Sequence, residues 1–157
     1  MFSEIEKKAI DEKLEQLNKV ISGTLSPKEL SDLIVQRRIS WFEQNKDIMF
    51  LKYNGLSDLE KAYKIIFFDH MQIKPKHSEL IKLNNHQLRI NSYNFCPYLE
   101  ACEQLGLDTK FVCKEIGEPS IQEILKRINP NLRFSRNYHN IRPSNKLFCE
   151  EYITLVK

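Results

Sequence analysis

The fold class this sequence predicts is α+β: N-terminal helices followed by an antiparallel sheet with packed helices. Three observations carry that reading. Up to about His70, apolar residues recur at helical spacing. After Pro75 the pattern changes to short strand-like runs around a turn. It then returns once to helix and once more to strand, without internal repeats or low-complexity tracts. A chain of 157 residues fits a single domain. It divides into a helical part, 1–70, and a mixed part, 79–157, that carries all the cysteines.

The first helix is read from about Ser3 to Ile21, with Ile5, Ala9, Ile10, Leu14, Leu17 and Ile21 on one stripe. Ser22-Gly23-Thr24 ends it. Ser26-Pro27-Lys28-Glu29 opens the second: serine caps, proline suits the first turn, and Glu29 completes a capping box. Leu30, Leu33, Ile34, Arg37, Trp41 and Phe42 carry this helix toward Asn45, and a joint is expected from Asp47 to Gly55. Ser57-Asp58-Leu59-Glu60 is a second capping signature, opening a helix to about His70.

Glu79 to Leu83 and Gln87 to Ile90 flank Asn84-Asn85-His86, which predicts a hairpin or one bulged strand. Cys96-Pro97 starts a helix that Gly106 stops. Asp108-Thr109 caps a short helix carrying Phe111, Val112 and Cys113. Glu118-Pro119 opens a further one, with Ile121, Ile124, Leu125 and Ile128 on one face, ended at Asn129-Pro130. Leu132 to Arg136 and Phe148 to Leu155 are strand candidates.

Composition narrows the function classes. Twenty-four basic and 21 acidic residues leave a net charge of only +3, so no electrostatic footprint for nucleic acid stands out. No run approaches the ~18 apolar residues of a membrane span, and the N-terminal residues lack a signal peptide's apolar core. The expectation is a cytoplasmic protein with reduced thiols and no membrane partner.

That setting draws attention to the four cysteines, Cys96, Cys102, Cys113 and Cys149. Cys96 sits at a helix start, where free N–H groups and the helix dipole favour a thiolate. Cys102 follows six residues later, about 240° around a helix, so it faces another way. Cys96, Cys113 and Cys149 can then converge, which suits zinc or an iron–sulfur cluster with a further ligand. No C-x-x-C pair is present, and the spacing matches no common metal pattern. The rival reading is a nucleophilic Cys96 with His139 as its base, chosen over His70, His77 and His86. The plainest reading is four buried, inert thiols.

Arginines form two further groups. Arg133, Arg136 and Arg142, with Tyr138 and His139 between them, can grip a carboxylate or phosphate, or simply pair with Glu150 and Glu151. Arg37 and Arg38 beside Trp41 can likewise bind an anion, although a tryptophan at that spacing reads first as core. The amphipathic first helix, with no strand near it in sequence, suggests a homodimer or a helical interaction module without catalysis.

From Glu79 to Leu155, roughly half of the chain, the layout resembles the L-2-amino-thiazoline-4-carboxylic acid hydrolase-like proteins and the related 4-vinyl reductase-type small-molecule-binding domains. The resemblance rests on a strand running into Asn94-Phe95-Cys96-Pro97, then Leu105-Gly106-Leu107-Asp108 and Cys113. It continues through a helix to Asn129-Pro130-Asn131-Leu132 and a closing strand entered at Cys149. It implies a ligand pocket between helices and sheet, and for some members hydrolysis of a cyclic thiazoline. The glycine-rich turn expected before the last cysteine is replaced by Arg142-Pro143-Ser144-Asn145-Lys146. The combined expectation is a small-molecule-binding protein in which Cys96 attacks a C–N or C–S bond. Cys149, His139, Arg142 and Tyr138 would belong to the same site.

Overall fold

The computed structural model describes residues 1–139, 141 and 148–157. Helices α1 (Glu4–Ile21) and α2 (Pro27–Lys52) come first, each opened by a serine whose hydroxyl accepts the N3 amide while the N3 glutamate reaches back to the cap. Helix α3 (Asp58–Tyr63) starts at Ser57 and runs directly into a π-helical segment, Lys64–His70. A 3-10 turn, Pro75–His77, then leads to strands β1 (Ser78–Asn84) and β2 (Gln87–Ser92). Helix α4 (Pro97–Leu105) ends at Gly106 in the left-handed conformation, φ 67°, where a glycine costs least. Helix α5 (Thr109–Val112), a second π-helical segment (Cys113–Gly117) and α6 (Glu118–Ile128) follow without a break. Strands β3 (Leu132–Arg136) and β4 (Cys149–Leu155) complete one antiparallel sheet of order β1-β2-β4-β3.

The α+β class and the helices-first order are as the sequence predicts, and the hairpin turns at Asn84–Gln87. Two local expectations are corrected. Helix α2 does not stop at Asn45. It continues to Lys52, because Met49 on its buried side enters the core while Ile48 and Leu51 face out. Helix α6 does open at Glu118-Pro119 as expected, but the short helix before it is not separate: α5 runs through the π segment Cys113–Gly117 directly into α6.

Cross-strand register sorts the sheet into two faces. Leu88, Ile153 and Phe134 align across three strands, as do Ile90, Glu151 and Arg136, and Ser92 pairs with Cys149. This inner face packs on α3 and α6, in a core where Ile65 and Phe67 of the first π segment and Ile121, Ile124 and Leu125 of α6 are fully buried. A second apolar cluster joins α1, α2, α4 and the second π segment through Leu17, Ile34, Ala101, Cys102 and Ile116. Helix α1 therefore packs the middle of its apolar stripe, Leu14 and Leu17, against α4 and its neighbours, while Ile5 and Ile21 stay exposed. Among the described residues no helix is long and apolar enough to cross a membrane.

Candidate functional site

The two apolar clusters leave a cavity of about 200 Å³ at their junction. Its walls come from distant parts of the sequence: Lys13 of α1, Arg38 of α2, the 94–98 segment, Cys113 and Gly117 of the second π segment, Ile121 of α6 and Arg136 of β3. Met71, next after the first π segment, closes one side. The second π segment thus delivers two residues to the cavity, and the first ends beside it at Met71; such irregular turns recur at functional sites.

Charge sets this cavity apart. Lys13, Arg38 and Arg136 all reach it. Arg136 donates through Nε to Glu151 at 3.2 Å, and Glu151 also accepts from the Ser92 hydroxyl at 2.9 Å. Burial alone lowers the pKa of Arg136, but Glu151, with Cys113 and Tyr138, more than offsets this and holds the guanidinium charged. Arg38 has neither a hydrogen bond nor an ion pair among the described residues, and burial drives its pKa down. Burial, with Arg38 and Arg37 adding repulsion, pushes Lys13 down to about 8. Its ammonium lies 4.5 Å from the centre of the Tyr98 ring. Among the described residues no carboxylate lines the cavity: Glu151 pairs with Arg136 from behind, and Glu12 acts on Lys13 from α1.

Unsatisfied polar atoms mark the same region. The Tyr98 hydroxyl and His70 Nε2 are buried without a hydrogen-bond partner among the described residues, and each such atom ordinarily costs about 1–3 kcal/mol. Desolvation, reinforced by Arg38 and Lys13, pushes His70 down to about 3, so it is neutral at physiological pH. Its ring stacks on Trp41 at 4.6 Å. Burial pushes Tyr98 up to about 12, so its hydroxyl remains a donor.

The cysteines divide as follows. Cys96 caps α4 without a side-chain hydrogen bond to the helix, and it lies on the cavity wall with Cys113. Burial pushes the Cys113 thiol up to about 12, with Cys96 and Cys149 both within electrostatic reach. Cys102 is fully buried in the helical cluster and is pushed up to about 11. No group of three or more His, Cys, Asp or Glu side chains among the described residues is arranged to hold a metal ion. The zinc or iron–sulfur expectation for Cys96, Cys113 and Cys149 therefore gains neighbouring thiols but no ligand set.

Other expected site residues lie elsewhere. His139 is exposed in the turn after β3, with its amide bonded to Asn137 Oδ1, and does not line the cavity. The Tyr138 hydroxyl donates to Glu118, also away from the wall. Arg142 is outside the described residues. Cys149 begins β4 opposite Ser92. Of the arginine groups, Arg38 and Arg136 come together from separate halves of the chain, while Arg133 bonds the backbone carbonyls of Pro130 and Leu132. Lys13 was the residue the sequence hid. A lysine flanked by charged residues on an amphipathic helix carries no signal that separates it from solvated neighbours.

Comparison with family models, curated proteins and solved structures found no match.

Proposed function

We propose that this protein binds a small organic anion, with a carboxylate as its charged group, in the cavity between the helical cluster and the sheet. The observation that carries the reading is a surplus of cations: Lys13, Arg38 and Arg136, all partly buried, line one cavity whose described wall holds no carboxylate, with Glu151 paired to Arg136 behind it. Arg38 has no protein partner among the described residues. A guanidinium desolvated in this way is costly to hold unless something negative meets it. The carboxylate would lie between Arg38 and Arg136, accept from the Tyr98 hydroxyl, and rest against Met71, Phe95 and Ile121. A cytoplasmic setting with reduced thiols belongs to the same proposal, as does the resemblance to small-molecule-binding domains. Self-association through α1 is not part of it, because that helix is engaged on α4.

The test is calorimetric titration of the full chain with short carboxylates against their amides. Acids should bind and amides should not, and Arg38→Met should abolish binding. Affinity should fall as pH rises through about 8, where Lys13 loses its proton. Equal binding of acid and amide would refute the reading.

A second reading, thiol-dependent hydrolysis of a C–N or C–S bond, is favoured by one observation: Cys96 is on the wall of that cavity. The thiolate would add to the electrophilic carbon, the C–N or C–S bond would break with its leaving group taking a proton, and water would release the acyl group. Lys13, within electrostatic reach of Cys96, is the better-placed proton acceptor than His139. Iodoacetamide should then label Cys96 fastest, and a bound acid should protect it. Slow, equal labelling of all four thiols would exclude this chemistry.

A further inference from the structure

The lysines of α1 and α2 are of two kinds. Lys7, Lys19 and Lys28 are exposed and pair with Glu4, Glu15 and Asp32, each about one turn away. Lys13 shares a helix with Lys7 and Lys19, yet it lines the cavity and forms no ion pair among the described residues. Its hydrogen bond to Gln16 Oε1 is 3.5 Å long, at the weak end of such contacts. The ammonium lies 4.5 Å from the centre of the Tyr98 ring, and Tyr98 is itself part of the cavity wall.

The surroundings of this amine come from three elements. Burial weighs most against its charge, and Arg38 and Arg37 of α2 add repulsion; Glu12 of its own helix and Cys96 at the start of α4 act the other way. With the pKa at about 8, roughly one Lys13 in ten carries an uncharged, nucleophilic nitrogen at pH 7, against fewer than about one in a thousand for an ordinary lysine. Desolvation beside a further cation is an arrangement that turns lysine into an amine able to attack carbonyl carbon. The cavity also limits size. Its volume of about 200 Å³ is below the roughly 300–1,000 Å³ of drug-sized sites, so a ligand has few heavy atoms and its functional groups lie close together.

From this juxtaposition we propose that the ligand is a short 2-oxo acid, held by its carboxylate between Arg38 and Arg136, and that Lys13 forms an imine with its ketone carbon. The inference rests on the anion-binding reading above and adds the class of ligand and a covalent bond to it. The electron pair of Lys13 Nζ adds to the ketone carbon, and the carbonyl π pair moves to oxygen. The two hydrogens of the neutral amine then leave with that oxygen as water, the C–O bond breaking as the C=N bond forms. No oxidant or reductant takes part. A proton from solvent converts the imine to an iminium, which returns a positive charge to the wall beside the carboxylate.

Incubating the full chain with pyruvate and sodium cyanoborohydride, followed by peptide mass mapping, tests the proposal, because hydride added to the iminium carbon fixes the adduct as a secondary amine. One reduced pyruvyl group should appear on Lys13 well before any reaches Lys7 or Lys28. Acetone, a ketone without a carboxylate, should leave Lys13 unlabelled, and excess propanoate should slow its labelling by pyruvate. Lys13→Arg keeps the positive charge and removes the primary amine, so it should lose the adduct while still binding propanoate. Labelling spread evenly over the exposed lysines, labelling of Lys13 by acetone as fast as by pyruvate, or no protection by propanoate would overturn the imine. If pyruvate and propanoate both bind in calorimetry and no adduct forms, the imine falls and the anion site survives. If neither acid binds, both readings fall.

Discussion

Glu150 and Glu151 are neighbours on β4, both almost fully buried, and they face opposite sides of the sheet. On the outer side Glu150 pairs with Arg89 at 3.0 Å and accepts from Asn137 at 2.9 Å and from the Tyr152 hydroxyl at 2.6 Å. Asn91 links Arg89 onward to Glu79. That network sets one arginine against two carboxylates, Glu150 directly and Glu79 through Asn91, and distributes the remaining polar atoms among neutral side chains. On the inner side Glu151 satisfies Ser92 and Arg136, but Arg38 stands beyond it with no ion pair among the described residues, and Lys13 has only Glu12 of its own helix near it. Two adjacent glutamates thus separate a network with more carboxylates than arginines from a cavity wall with more cations than carboxylates, the imbalance on which the anion-binding proposal rests.

Removing each carboxylate should break this comparison most sharply. Glu151→Gln leaves Arg136 buried and unneutralised and should cost about 3–5 kcal/mol in urea unfolding. Glu150→Gln leaves a partly exposed Arg89 with Asn91 still bonded, and should cost about 1–2 kcal/mol. Equal losses would show that the two faces are energetically alike. Replacing both partners inside, as Arg136→Met with Glu151→Leu, should recover most of the loss.

Acid stability gives the next largest effect. His70 is neutral in the folded protein to about pH 3, against a usual value of 6.5, so the unfolded chain takes up its proton first. Its contribution is present above pH 6.5 and is lost as pH falls toward 3, by about 2 kcal/mol between pH 7 and pH 5. The groups that face it, Trp41 and Arg38 from α2 and Lys13 from α1, supply no negative charge to reverse the sign. In His70→Leu that part of the acid sensitivity should vanish, as read from denaturant midpoints at the two pH values.

Arg38→Met sharpens the contrast in the other direction. Relieved of an unpaired, desolvated cation, the ligand-free protein should gain about 1 kcal/mol while losing affinity for acids, the opposed signs expected of a group kept for binding. The smallest effect belongs to an exposed pair: Lys28→Ala, which removes the 2.9 Å contact with Asp32 on α2, should change stability by no more than about 0.5 kcal/mol.

Much of the fold was legible because it follows from local chemistry. Ser26 and Ser57 cap where serine followed three residues on by glutamate predicts, and Gly106 ends α4 in the one region that favours it. Cys102 points inward, as its angle from Cys96 requires. What was not legible depends on distant partners. Nothing between Val112 and Glu118 shows that a π turn will join α5 to α6 without a break. Arg38 and Arg136 each stand out as anion-binding arginines, but only the packing of α2 against α6 and of α6 against β3 brings them to one cavity. His139, close to Arg136 in sequence, is turned outward by the Asn137 contact, whereas Lys13, more than a hundred residues away, is turned in.

Strand β4 is the latest of the described strands in the sequence and yet pairs on both sides, with β2 and with β3. During synthesis, the hairpin of β1 and β2 and strand β3 must therefore wait with open inner edges until residues 149–155 leave the ribosome. Glu151 arrives with that strand. Arg136 remains without its counter-ion until then, so its guanidinium is neutralised only once β4 has joined the sheet. A nascent chain halted before Cys149 should be held by chaperones rather than by any ligand.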